Sequence, residues 1–497
     1  MGRYVMAIDA GTTSIRTLIV DPEMSICASA SIPVLAYFPE PGWVEQEPEE
    51  IWSAVLSTMR RALFDATLDA RDLAGLALTN QRETVVVWER ATGTAVHRAL
   101  VWQDRRTTAT CEALGREGAS DWVQARSGLR LDPYFSASKI AWILDHVPGL
   151  RARAGRGEIC AGTVDSWILW RLSGGRLHAT DVTNASRTSL MNLTSLKWDD
   201  DLCELFEVPR EVLANIEPSE HDFCETDNEV LGAPVLVAAI IGDQQAALLG
   251  QGCREEGQTK NTYGTGSFLL QHTGEHFHAD SDSLIATVAA SAQGAPTQYA
   301  LEGSIFVTGA ALQWLRDGLG IIDTVQESEF LAESLTDNGD VWFVPALTGL
   351  GSPHWDAHAR GTVLGISRGT TRAHLARAAL ESIAYQTRDV LDAMNRQSRV
   401  GVGELKVDGG ACANRWLMQF QSDVLGIPLL VAPHSEATAL GAAFAAGVHS
   451  RVWSRHDELS ALLGEGLRYE PTMSADQRDT LHARWSAALQ RSRHWSS

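Results

Sequence analysis

The sequence predicts an α/β protein of two related halves, and three observations carry that prediction. Strand-like and helix-like segments alternate along the chain. Two strand–turn–strand units, one at the start and one just past the middle, stand near half a chain length apart. The chain has 497 residues, whereas single hydrophobic cores stop growing near about 250–300.

The first unit runs from Tyr4 to Asp9 and from Ile15 to Asp21, around the turn Ala10-Gly11-Thr12-Thr13-Ser14. Glu49 to Leu63 carries Trp52, Val55, Leu56, Met59 and Leu63 at helical spacing. Leu73 to Leu78 and Thr84 to Glu89 read as strands. Leu231 to Gly242 is the longest apolar run. It falls short of the roughly 18 residues of a membrane span and reads as a buried strand. The second unit, Thr259 to Gln271, turns at Tyr263-Gly264-Thr265-Gly266-Ser267. Glu404 to Asp408 is a strand ending in Gly409-Gly410-Ala411, and helices follow at Asn414 to Leu425 and about Glu436 to Ala446. The expected domains are 1–250 and 251–450, with a helical tail at 451–497. No low-complexity linker separates the halves, so they are expected to pack around a cleft.

The net charge of −21 excludes nucleic acid as a partner, because phosphate backbones require a basic footprint. A nucleotide site must therefore be local, made of backbone N–H groups, helix N-termini and a metal. Of 41 basic residues only Lys139, Lys197, Lys260 and Lys406 are lysines, which Arg-favouring base composition explains. Seven cysteines form no CxxC and leave an odd one over, as expected of reduced thiols. The N-terminus has no basic region ahead of an apolar one, so a cytoplasmic protein is expected.

Asp9-Ala10-Gly11-Thr12-Thr13-Ser14 has the chemistry of a phosphate loop. Gly11 allows close backbone approach, successive N–H groups and hydroxyls hold oxygens, and Asp9 suits Mg²⁺. Read alone, the string is equally a tight hairpin. No lysine follows a glycine, so a Walker A loop is excluded, and no HRD is present. Arg82-Glu83 offers an adjacent donor and acceptor for a diol, but such dipeptides are usually exposed ion pairs. Asp243 follows the buried run Val235 to Ile241; a strand-end Asp is either a base or a helix N-cap, and Gln244 to Leu249 reads as a first helical turn.

Read together, the motifs resemble the FGGY carbohydrate kinases, and within them the branch acting on glycerol. Beyond the phosphate loop they are Asn80-Gln81-Arg82-Glu83-Thr84, Trp102-Gln103-Asp104-Arg105-Arg106, Asp132-Pro133-Tyr134-Phe135-Ser136, Gly242-Asp243-Gln244-Gln245-Ala246, Asn261-Thr262-Tyr263-Gly264-Thr265-Gly266 and Asp408-Gly409-Gly410-Ala411. The resemblance spans about Tyr4 to Gly447. It implies a two-domain actin-like ATPase (ribonuclease H-like) fold, ATP and Mg²⁺ as cofactors, and glycerol as acceptor. By the same resemblance Thr12, Thr13, Ser14 and Arg16 hold terminal phosphates beside Asp9. Thr265 and Gly266 form a second phosphate loop, Gly309 and Gln313 flank the nucleotide, and Gly410, Ala411 and Asn414 line adenosine. Arg82, Glu83, Trp102, Tyr134, Gln244 and Phe268 bind the acceptor, and Asp243 is the general base.

Two departures stand out: Ala10 where these kinases usually carry Gln, and a short segment without Arg from Thr226 to Pro234, where the family has a fructose 1,6-bisphosphate loop. Rival expectations are an erythritol or xylulose kinase and a non-catalytic actin-like nucleotide binder. An Hsp70-like ATPase lacks room for its second domain. A homo-oligomer, dimer or tetramer, is expected.

Overall fold

The computed structural model describes residues 3–277 and 283–495. Among them two large sheets carry the two halves. In the first, β1 (Tyr4–Ala10), β2 (Ser14–Val20) and β3 (Ile26–Pro33) form an antiparallel meander. β4 (Leu73–Asn80) runs parallel to β1, and the edge strand β5 (Glu220–Glu225) runs antiparallel to β6 (Leu236–Gly242), itself parallel to β4. The order is therefore β5-β6-β4-β1-β2-β3.

The second sheet repeats this plan. β7 (Thr259–Tyr263), β8 (Ser267–His272), β9 (Ile285–Val288) and β10 (Tyr299–Ile305) form the antiparallel part. β11 (Leu405–Gly409) lies parallel to β7, β12 (Leu429–Val431) parallel to β11, and β13 (Leu467–Tyr469) closes the edge antiparallel. The order is β9-β10-β8-β7-β11-β12-β13. In the first sheet the parallel strands β1, β4 and β6 are mainly apolar on both faces, as a sheet covered by helices on each side requires. Met6, Ile8 and Ala10 enter one core and Val5 and Ala7 another.

Five helices position the site. α1 (Pro48–Ala66) begins with Pro at its first turn, followed by Glu49 and Glu50, and covers β2 and β3. α2 (Asp243–Gly250) follows β6; α3 (Arg372–Gln397) and α4 (Arg415–Leu425) back the second sheet; α5 (Ala437–His449) crosses under the first. α2 and α5 meet through small residues. A Cβ at Gly250 would stand 2.0 Å from the Ala437 carbonyl oxygen, and one at Gly441 would stand 2.1 Å from that of Ala246. This crossing joins the halves. A smaller sheet of Glu45–Gln46, Ala99–Leu100, Val85–Glu89 and Ile159–Thr163 supports the loops bearing Trp102 and Tyr134.

Two expectations are corrected. The apolar run from Leu231 becomes strand only at Leu236, because Asp227 caps a one-turn helix, Asn228–Leu231, that Gly232 ends at φ +82°. The tail is not wholly helical, since β13 adds a strand to the second sheet ahead of the helix Ala475–Ser492.

Candidate active site

The parallel registers bring the strand ends together. Asp9 pairs with Thr79, Ala10 with Asn80, and Gly242 with Asn80, so Asp9, Arg82-Glu83 and Asp243 all emerge at one edge of the first sheet. In the second sheet Thr262 pairs with Asp408 and Tyr263 with Gly409, which brings the Thr265-Gly266 turn beside Gly410.

Arg82 and Glu83 are not an exposed pair; both are buried and each bonds elsewhere. Arg82 donates from Nη1 to Glu302 Oε2 (2.6 Å) and Gln245 Oε1 (3.1 Å), and from Nη2 to Glu302 Oε1 (3.1 Å). Its Nε lies 3.2 Å from Asp243 Oδ1. Glu83, held at φ 62°, accepts from Arg187 Nε at 2.5 Å, and Arg187 Nη2 donates to Glu302 Oε1 at 2.9 Å. Burial opposes ionisation of Glu302, but Arg187 and Arg82 outweigh it and bring its carboxyl down to about 2. At Glu83 burial outweighs the pull of Arg187 and Arg82, with Glu302 adding to it, and holds the carboxyl above the ordinary range. Such a network holds only if every charge in it is partnered. A non-glycine residue in the left-handed region beside it marks backbone held by its surroundings.

An aromatic wall faces this network. Trp102 meets Tyr134 edge-on at 5.6 Å and Phe268 at 6.1 Å, and the Arg82 guanidinium lies 5.9 Å from the Phe268 ring centre. Trp102 Nε1 donates to Thr12 Oγ1 at 2.8 Å, so the wall is bonded to the turn between β1 and β2.

Asp243 is the first residue of α2 and does not cap it; Gly242 holds the cap position. Its Oδ1 accepts from the Gln244 backbone N–H at 2.7 Å. Burial raises the carboxyl above its ordinary value, against the pull of Arg82 and Lys260. Its side chain remains about one-quarter exposed (26%), enough to meet a ligand. Gln244 is fixed by Lys260, whose Nζ donates to its Oε1 at 2.5 Å.

At the first loop, burial and the neighbouring Asp243 push the Asp9 carboxyl up to about 7, with Arg16 working the other way. Arg16 forms an ion pair with Glu436. Ala10 packs in the core with Met6, Ile8 and Ile15, and its carbonyl accepts from the Gln81 N–H at 2.8 Å. At the second loop, Gly266 leaves no room for a Cβ, which would stand 2.3 Å from the Ile305 oxygen. The Thr308 and Ala310 N–H groups both donate to the Thr265 carbonyl, which seats Gly309 against this loop. Gln313 ends the short helix Gly309–Gln313 and is exposed. Among the described residues nothing lies within 4 Å of the Gly410 Cβ position, so open space lies beside it. Ala411 follows it in a short 3₁₀ turn, Gly410–Ala413. Asn414 caps α4 through Oδ1, leaving its amide N–H₂ free of that task.

Family comparison decides what this geometry belongs to. Residues 4–250 match the N-terminal domain model of the FGGY family of carbohydrate kinases, and residues 259–450 match its C-terminal domain model. The chain belongs to the FGGY family of carbohydrate kinases. A glycerol kinase from Delftia acidovorans is 51% identical over 98% of both chains, and glycerol kinase 2 of Thermotoga maritima 47% identical over 99% of both. The fold superposes on Plasmodium falciparum glycerol kinase with ADP at TM-score 0.91, 32% identity and 98% of each chain. Xylulose kinase from Rhodospirillum rubrum, 23% identical with TM-score 0.85 over 98% of this chain and 99% of that one, shares the fold.

Sequence reasoning missed Arg187, Glu302, Gln245 and Lys260. One signal was available: Glu302 is a lone carboxylate within the otherwise uncharged strand Tyr299–Ile305, and a buried charge demands a partner.

Proposed function

We propose that this FGGY kinase transfers the terminal phosphoryl group of ATP to glycerol, giving sn-glycerol 3-phosphate. What carries the reading is the meeting, at one edge of the first sheet, of Arg82, Glu83, Asp243 and Gln244 with the aromatic wall Trp102–Tyr134–Phe268. A triol needs paired donors and acceptors for its vicinal hydroxyls, an apolar surface for its C–H face, and a base beside the reacting oxygen. The near full-length identity to glycerol kinases supports the same acceptor.

The first loop suits a metal-bound phosphate. Burial raises the Asp9 carboxyl and the nearby Asp243 and Glu436 raise it further, a cost of holding its charge that a divalent cation would relieve. When bound, MgATP supplies the phosphoryl group and that neutralising charge. Thr12, Thr13, Ser14 and Arg16 hold the phosphates from one side and Thr265 and Gly266 from the other. Gly309, Gln313, Gly410, Ala411 and Asn414 surround the nucleoside. Arg82 and Glu83 orient the glycerol hydroxyls, aligned for in-line transfer. Asp243 takes the proton of the attacking hydroxyl, a contribution of about 10²–10⁴-fold.

On this reading residues 1–250 hold the acceptor and the first phosphate loop, 251–450 hold the nucleotide, and 451–497 complete the second sheet. The enzyme works in the cytoplasm as a dimer or tetramer. Purified protein offered glycerol, erythritol, xylulose and no acceptor, with ADP release recorded, tests the assignment. Glycerol is expected to lead in kcat/KM by about 10²-fold or more. Preference for a ketose, or ADP release independent of any acceptor, would replace it.

A further inference from the structure

We infer that two buried lysines, Lys139 and Lys260, are positioning residues of the acceptor site, holding Tyr134 and Gln244 from behind. The inference rests on the reading of that site as glycerol-binding.

The chain uses lysine at four of 41 basic positions, and two of those four are fully buried behind the same pocket. Arginine, otherwise preferred throughout, is a planar fork too broad for a site shaped to a compact ammonium. At Lys139 and Lys260 that compactness is used.

Lys139 lies on the helix Ser136–His146. Its Nζ donates to the carbonyl oxygens of Pro133 (2.6 Å), Tyr134 (2.6 Å) and Phe135 (3.2 Å). An ammonium has three donors, and here three successive carbonyls take them all. Those carbonyls form the turn that presents the Tyr134 ring to Trp102. Ser136 Oγ ties the same turn to the Glu83 carbonyl at 3.1 Å. Glu83, Asp104, Asp132 and Arg105 are the charged groups around Lys139.

Lys260 lies on β7 and donates to Gln244 Oε1 (2.5 Å) and Thr262 Oγ1 (2.9 Å). This contact turns the amide so that its N–H₂ is left for a ligand oxygen. Asp408, Arg82, Asp243 and Glu302 are the charged groups around Lys260. Burial lowers each ammonium to about 8, so both lose a donor in a pH range where glycerol does not titrate.

The test measures KM for glycerol, KM for ATP and kcat in Lys139→Met, Lys139→Arg, Lys260→Met and Lys260→Arg. Each Met variant is expected to raise KM for glycerol about tenfold or more while KM for ATP stays within about twofold, and Arg is expected not to restore it. In the unaltered enzyme KM for glycerol should climb between about pH 7 and about pH 9.5, with KM for ATP flat. Folded Met variants with unchanged KM for glycerol would overturn the inference. Should those variants not fold, the pH series on the unaltered enzyme decides, and a flat KM for glycerol overturns it. An unaltered enzyme that does not phosphorylate glycerol would instead remove the functional reading beneath it.

Discussion

The two strand–turn–strand units occupy the same place in their sheets and carry different chemistry. Each connects a central strand to an antiparallel partner, with a parallel strand on its other side. Aligned, Asp9-Ala10-Gly11-Thr12-Thr13-Ser14 stands against Thr262-Tyr263-Gly264-Thr265-Gly266-Ser267. The first offers a carboxylate where the second has a hydroxyl already bonded to Lys260. The second offers Gly266 where the first has the exposed Thr13. On the proposed reading, a duplicated scaffold divides its labour at the strand ends: acid and acceptor chemistry at Asp9, Arg82 and Asp243, close backbone approach at Gly266 and Gly409-Gly410.

The largest effect that would test this division is at Asp243. Asp243→Asn should lower kcat by about 10²–10⁴-fold with both KM values little changed. The unaltered enzyme should lose kcat as pH falls through the raised carboxyl value, because the base must be unprotonated to act. Near wild-type turnover in the variant would return the acid chemistry of the first half to a structural role.

Next comes Asp9 against Thr262. Asp9→Asn should cut activity by about 10²-fold or more, whereas Thr262→Ala should cost less than about tenfold. Stability should move the other way. A carboxyl raised to about 7 from the ordinary 3.8 leaves the folded chain holding a proton that the unfolded chain has lost, so stability falls as pH rises through that window. Ligand-free Asp9→Asn should therefore melt at a higher temperature than the parent protein at about pH 8, where the penalty is fully present. A lower Tm would mean that Asp9 braces the loop and is not held there for a cation.

A smaller contrast separates Gly266 from Thr13. A methyl at Gly266 meets the Ile305 oxygen at 2.3 Å and the Phe306 oxygen at 3.1 Å, both backbone atoms that yield little. Gly266→Ala should destabilise by about 1–3 kcal/mol and weaken ATP binding. Thr13→Ala, on an exposed turn, should leave stability within about 0.5 kcal/mol, measured by denaturant titration. Equal effects would erase the difference between the loops.

The smallest effect expected is none. Whereas the second half joins β12 to its edge strand β13 through the longer segment 432–466 that carries α5, the first joins its edge strand to β6 through Thr226–Pro234. Arg60 donates to the carbonyls of Glu229 and Val230 there, and the segment has no arginine of its own. Fructose 1,6-bisphosphate should not inhibit through this segment; a concentration-dependent inhibition that a Thr226–Pro234 substitution abolishes would overturn this.

Much was legible from the sequence by itself. Alternating segments and two matching turns determined a duplicated α/β plan, because strand and helix periods are local. The motifs of the proposed phosphate loops and acceptor site were legible because each is contiguous, with backbone and side chains within a few residues of one another. Ala10 looked discordant in sequence; only the structure turned its side chain into the core. The tertiary structure alone decided which polar and charged groups meet: Arg82 and Arg187 with Glu302, Arg16 with Glu436, Lys260 with the Gln244 amide. The reason is physical. A buried charge must be neutralised, but nothing in local spacing names its partner. Topology brings that partner from the other half of the chain, so Arg82-Glu83 could look like a surface ion pair and yet lie at the centre of a buried network.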